Sequence, residues 1–278
     1  MAIQRPTYIL ILRKIMGKNN ADKLHNCLLS FYNIKFLYNF VLSFHPSKGK
    51  QSKNKQIISL INQSGFAKTD VHNLEFDNLM IFEPFLNWFK ISKNQYLDVH
   101  DAKAYEIKYS SKQDDSIISE KLKEFGKIIK PIADDYLSCD SILHHYDLWH
   151  TITPNVNDRI QSQNWHRDPE DNKILKVWVY LNDINEQNGA MEFISKTHSK
   201  GDYSAFLPKK FPFGRYIDQD MLGDKLSLKI IAEGRQGTIY FVDTTGFHRG
   251  GFALSGERKL IHLVFTTPIC PYRKVVKN

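Results

Sequence analysis

The sequence predicts an α+β fold with a mainly β core, a barrel or sandwich of short strands preceded by helices. Two patterns carry that prediction. Helical segments come first, the clearest at 116–137 where apolar residues recur at spacings of three and four, and beyond residue 140 the rhythm changes to short runs rich in Val, Ile, Tyr and Trp. Those runs, at 144–153, 174–181, 190–194, 238–242 and 259–267, are separated by Asn, Gly, Pro and Asp.

Taken in order, residues 1–55 form a basic, aromatic helical extension, and residues 56–278 the main domain. The divide is the segment KGKQSKNK at 48–55, polar, charged and glycine-containing. A short helix at 57–62 runs into Ser64-Gly65-Phe66. The strongest helix is 116–137, where Ile118, Leu122, Phe125, Ile129, Ile132 and Tyr136 fall on one face that must be covered by something apolar. Ser116 can cap its start, and Pro131 is expected to kink its last turns. Asn188-Gly189, between two strand-like runs, is a hairpin signal.

Composition narrows the function classes. Of 278 residues 42% are hydrophobic and 24% charged, which excludes a disordered tail or a fibre. Three cysteines, Cys27, Cys139 and Cys270, are too few and too scattered for a disulfide scaffold or a cysteine zinc site, and they point to a cytoplasmic protein. The net charge of +8 is not spread evenly: residues 1–55 hold ten Lys/Arg and one acid, leaving the remainder at −1. A neutral body argues against a nucleic-acid partner. Polar residues interrupt 24–44, the most apolar stretch, so no membrane span is expected. The basic prefix could instead lie peripherally on an anionic membrane or pack on the main domain. Oligomeric state is not legible.

The informative segment is Gln163-Asn164-Trp165-His166-Arg167-Asp168. On extended chain, residues i and i+2 share a side, so His166 and Asp168 can point together while Arg167 points away. An imidazole and a carboxylate make two thirds of a facial triad for non-haem Fe(II). His248, in Gly246-Phe247-His248-Arg249-Gly250-Gly251, can supply the third ligand. Arg258 opens the last strand ten residues later, and inside a barrel it would need an anionic partner, as the far carboxylate of a dicarboxylate cosubstrate offers.

With its neighbourhood, this constellation resembles the Fe(II)/2-oxoglutarate-dependent dioxygenases, specifically the phytanoyl-CoA dioxygenase-like (PhyH-like) family. The likeness extends through Val177–Asp183, then Glu186–Ile194 with Asn188-Gly189, then Thr197-His198-Ser199; Ser195-Lys196 stands where the family usually has Pro-Gly. The resemblance implies a double-stranded β-helix, a jelly-roll or cupin-like barrel with flanking helices. It also implies Fe(II) on His166, Asp168 and His248, with 2-oxoglutarate anchored by Arg258 and O₂ as co-reactant. The activity it implies is hydroxylation of a small-molecule, glycan or lipid-linked substrate, with release of succinate and CO₂. The acid at position 168 favours hydroxylation over halogenation, which needs a small residue there.

Other histidines read as structural. His144, His145 and His150 read as a polar strand at a pocket mouth, His198 as a turn stabiliser, and His262 as a satisfied core histidine. Two rival functions remain at this level. One is a non-catalytic cupin-like metal module; the other is an interaction protein acting at a membrane surface through residues 1–55.

Overall fold

The computed structural model describes residues 13–17, 19–20, 35–47, 54–74, 82–92, 106–110, 116–153, 158–159, 161–168, 170–206 and 216–271. Among these, nine strands make two sheets. The larger runs β1 (Phe66–Asp70), β7 (Thr238–Val242), β4 (Ile174–Tyr180), β9 (Glu257–Thr266), β3 (Ile142–Ile152) and β2 (Glu106–Ser110), all neighbours antiparallel. The smaller runs β6 (Lys229–Ile231), β5 (Glu192–Ile194) and β8 (His248–Arg249). A backbone bridge between His166 and His248 adds one further short segment to its edge.

The alternation of side chains along β4 shows how the layers stack. Leu175, Val177 and Val179 join Ile239, Phe241, Ile261, Leu263 and Phe265 in a core on the outer face of the large sheet. Trp178 and Tyr180 join Tyr240, Val242 and Leu260, and these meet Phe193 of the small sheet. The second set therefore fills the space between the sheets, and the first lies under helices. This is the helix-flanked, two-sheet barrel that the resemblance implies.

The helices are α1 (Lys35–Leu42), α2 (Lys55–Ser64), α3 (Glu83–Ser92) and α4 (Ser116–Leu137). All six stripe residues of α4, from Ile118 to Tyr136, are buried against the outer core. Each contributes roughly 1.5–3 kcal/mol by leaving water. Pro131 lies inside α4, which continues past it to Leu137. At the end of α2, Gly65 takes φ +81°, and a Cβ there would stand 2.7 Å from the His198 ring and 2.8 Å from Phe193, so glycine is required.

Two expectations meet structural facts here. The turn at 186–189 forms and Gly189 takes φ +90°, but β4 and β5 lie in different sheets, so the turn is a corner of the barrel and not a hairpin. Turn chemistry sets a reversal of direction; it does not choose the partner strand. In the prefix, Tyr38 and Leu42 of α1 belong to the outer core, and the Tyr38 hydroxyl donates to Asp171 Oδ1 at 2.9 Å. The same helix leaves Phe40 and Val41 exposed. Most of the rest of the prefix, including 21–34 and Cys27, lies outside the described residues. No helix among the described residues is long and apolar enough to cross a membrane.

Candidate metal centre

His166 and His248 are fixed by backbone before any side-chain contact is considered. Each donates its amide to the other's carbonyl at 3.0 Å, and directly paired residues project to the same side of a sheet. Their rings lie 4.3 Å apart, centroid to centroid. Asp168 follows two residues on, its amide bonded to Thr244 O at 2.9 Å, and its carboxylate closes the set. His248 Nε2 is 3.2 Å from Asp168 Oδ2, and His166 Nε2 is 3.6 Å from Asp168 Oδ1. All three residues are buried. Arg167 points away, as the spacing predicts, to the carbonyls of Ser204 and Phe206 and over the Phe247 ring.

Tautomers follow from the second ring nitrogens. His166 Nδ1 lies 2.8 Å from Asn164 O and His248 Nδ1 3.0 Å from Gly246 O, so each Nδ1 carries a proton and each Nε2 is turned to the centre of the cluster. Burial, with His248 alongside, lowers the His166 pKa to about 3, so its imidazole is neutral, the form that ligates. Burial alone would raise the Asp168 carboxyl, but the Lys176 ammonium beside it outweighs that and holds it well below the usual carboxylate range. Two imidazoles and one carboxylate, with one ligand atom from each within 4.8 Å of the others, fit Fe(II) by donor type and count.

Sequence reasoning missed Lys176. Its Nζ lies 2.7 Å from Asp168 Oδ2 and 3.1 Å from Glu170 Oε1. Burial disfavours the ammonium, yet these two carboxylates raise its pKa, so it stays charged. The signal was present: a single lysine inside the apolar run Ile174–Leu181, on the side of β4 shared with Trp178 and Tyr180. Tyr216, whose ring meets that of His166 edge-on at 5.5 Å and which is 42% exposed, stands between the cluster and solvent.

Arg258 is buried at the start of β9, in register with Thr151, and its guanidinium donates to Gly189 O and, at 3.1 Å, to Thr151 Oγ1. The structure brings the three metal-type ligands together and places Arg258 in the barrel wall, beside the corner at Gly189. His198 behaves as expected, lying 3.2 Å from Asn62 O. His150 pairs with Glu257 Oε2 at 2.7 Å. His145 and His262 do not stand apart: with Asp147 they form a second buried group of metal-type donors. The sequence signal for it was another His-x-Asp, His145-Tyr146-Asp147.

Residues 161–259 match the family model for phytanoyl-CoA dioxygenase (PhyH). No curated protein matches the chain. Among solved structures, the chain is similar to the epimerase SnoN in complex with Fe3+, alpha ketoglutarate and nogalamycin RO (TM-score 0.60, 14% identity, 80% of this chain and 86% of that one). It is similar to EctD from S. alaskensis with 2-oxoglutarate and 5-hydroxyectoine (0.55, 14%, 80% and 82%). HygX from Streptomyces hygroscopicus with nickel and 2-oxoglutarate bound is a third (0.55, 11%, 81% and 90%). At these identities the likeness establishes the shared fold.

Proposed function

We propose that this chain, PhyH-like over residues 161–259, is an Fe(II)- and 2-oxoglutarate-dependent oxygenase that hydroxylates an unactivated C–H bond of a small-molecule, glycan or lipid-linked substrate. The observation that carries the reading is the convergence of His166, Asp168 and His248, with each histidine's Nδ1 held by a backbone carbonyl and its Nε2 turned to the cluster. Iron and 2-oxoglutarate, when bound, supply the oxidation, in which the 2-oxo acid is decarboxylated to succinate and CO₂ as O₂ is consumed.

The chain's own residues bind and orient. His166, Asp168 and His248 would hold the metal, and cosubstrate and O₂ would complete its coordination. Lys176 fixes one oxygen of Asp168 and offsets the charge of Glu170 beside it. Arg258 is the anchor for the far carboxylate of 2-oxoglutarate: a buried guanidinium from the large sheet, bonded to two neutral oxygens that a carboxylate can supplement or displace. Trp178, Tyr180, Tyr240 and Leu260 line the space between the sheets and exclude water. A carboxylate at position 168 leaves no room for a halide, which supports hydroxylation.

SnoN with nogalamycin RO and EctD with 5-hydroxyectoine are complexes with small molecules, which supports a substrate of that size; the charge of residues 1–55 supports its presentation at an anionic surface. Oxygen-dependent release of succinate from 2-oxoglutarate by the Fe(II)-loaded protein tests the reaction class. Product mass then tests the outcome: a gain of one oxygen atom supports hydroxylation, and an unchanged mass with altered stereochemistry replaces it with epimerisation.

A further inference from the structure

The inner face of the large sheet carries a second set of the donors that make the metal centre. His145 and Asp147 stand at i and i+2 on β3, the spacing of His166 and Asp168, and Asp147 is paired in register with His262 on β9. One donor atom from each lies within 4.8 Å of the other two. The residues are 9%, 1% and 2% exposed respectively. Asp147 Oδ2 and His262 Nδ1 are 3.4 Å apart. That is long for an N–H···O hydrogen bond. It is close to the separation, about 3.3 Å, of two ligands each about 2.0–2.1 Å from one tetrahedral zinc ion.

The surroundings hold these side chains in place. His144 Nδ1 lies 2.8 Å from His145 Nδ1, which engages one ring nitrogen of His145. A hydrogen-bond partner on the second ring nitrogen fixes the orientation of an imidazole. Trp149 Nε1 donates to Asp147 Oδ2 at 3.3 Å, and the Trp149 and Trp178 rings pack on His262 at 4.6 and 5.9 Å. The stretch that matches the PhyH model, 161–259, includes none of the three residues.

We infer that His145, Asp147 and His262 form a second metal site, separate from the iron centre, which takes Zn²⁺ through two imidazoles and one carboxylate and ties β3 to β9. A bound divalent ion joins two strands whose contributing residues are 115 positions apart in the chain.

The test is metal stoichiometry on the full-length protein. Chelator-stripped protein is loaded with Zn²⁺, desalted and assayed for metal per chain. Two equivalents are expected for the wild type, and one for a His166→Ala/His248→Ala variant that lacks the iron centre. The thermal midpoint of that variant should still rise on adding Zn²⁺. His262→Gln should retain one equivalent and lose that rise when combined with the double substitution. One equivalent in the wild type that is lost in the double variant, with no thermal shift there, overturns the second site and leaves the iron centre standing. A double variant that keeps every equivalent the wild type holds contradicts the iron-centre assignment instead, so the two failures are distinguishable.

Discussion

Two clusters in one barrel have the same composition, two histidines and an aspartate, and differ in how the backbone holds them. In the cluster at 166, 168 and 248, one pair of reciprocal amide bonds fixes both histidines at the edge of a short three-stranded sheet, and Asp168 comes from the chain just beyond it. In the cluster at 145, 147 and 262, all three residues lie on β3 and β9, ten or more residues long and side by side in the large sheet. The first has a solvent-facing neighbour in Tyr216 and a charged one in Lys176; the second is walled by two tryptophans. A centre built at the edge of a sheet can admit reactants, whereas one inside a continuous sheet is suited to joining strands. They meet along one row of inward residues, His145, Val264 and Lys176, each paired across the next strand. By strand spacing, His145 and Lys176 are about 10 Å apart at the backbone.

The largest expected effect separates the clusters by activity. Asp168→Ala should abolish succinate release with the fold retained, as read by circular dichroism. Asp147→Asn should leave iron bound at His166, Asp168 and His248; loss of that iron would make the two clusters one site. Next in size is Lys176→Met. Removing one partner of a buried ion pair costs about 3–5 kcal/mol, because Asp168 and Glu170 are left facing each other. Urea unfolding of the metal-free protein should show this loss, and saturating Fe(II) should restore part of it. An unchanged unfolding midpoint would show that Lys176 does not hold the centre.

Arg258→Ala should weaken 2-oxoglutarate binding by about 2–5 kcal/mol, a factor of tens to thousands, with Fe(II) affinity unchanged. Equal weakening of both would make Arg258 a structural residue of the barrel wall. The smallest effect is on pH. His166 has its pKa lowered by burial from 6.5 to about 3, and burial also lowers that of His145. The unfolded chain therefore takes up these protons first as pH falls. Stability from the neutral imidazoles is fully present above about pH 6.5 and is lost progressively toward pH 3. Metal-free protein should lose about 1.4 kcal/mol per pH unit for each such histidine below pH 6.5. Substitution of His145 by Gln should flatten the slope measured by urea unfolding between pH 6.5 and 5.

What was legible in the sequence follows the same division. His166 and Asp168 share a short segment, and His248 sits in a glycine-rich stretch after a strand, so local spacing pointed to all three. The runs at 174–181 and 238–242 became β4 and β7 because buried β-branched and aromatic residues declare strands directly. Lys176 was hidden by that apolar context, since its charge is explained only by Asp168 and Glu170, brought to it by the fold. His145-x-Asp147 had the same local form as His166-x-Asp168, but its third member lies in a run that reads as plain core until β3 and β9 pair. The short strands β1, β6 and β8 gave little sequence signal, because their positions depend on the longer strands they join.

The account turns on His166, Asp168 and His248 holding iron in a state that accepts 2-oxoglutarate. The direct measurement is an anaerobic titration of 2-oxoglutarate into the Fe(II)-loaded protein, followed by the visible metal-to-ligand charge-transfer band. The account predicts that the band develops to one equivalent in the wild type and in His262→Gln, and is absent from Asp168→Ala. A band of full intensity in Asp168→Ala, or none in an iron-replete wild type, would contradict it.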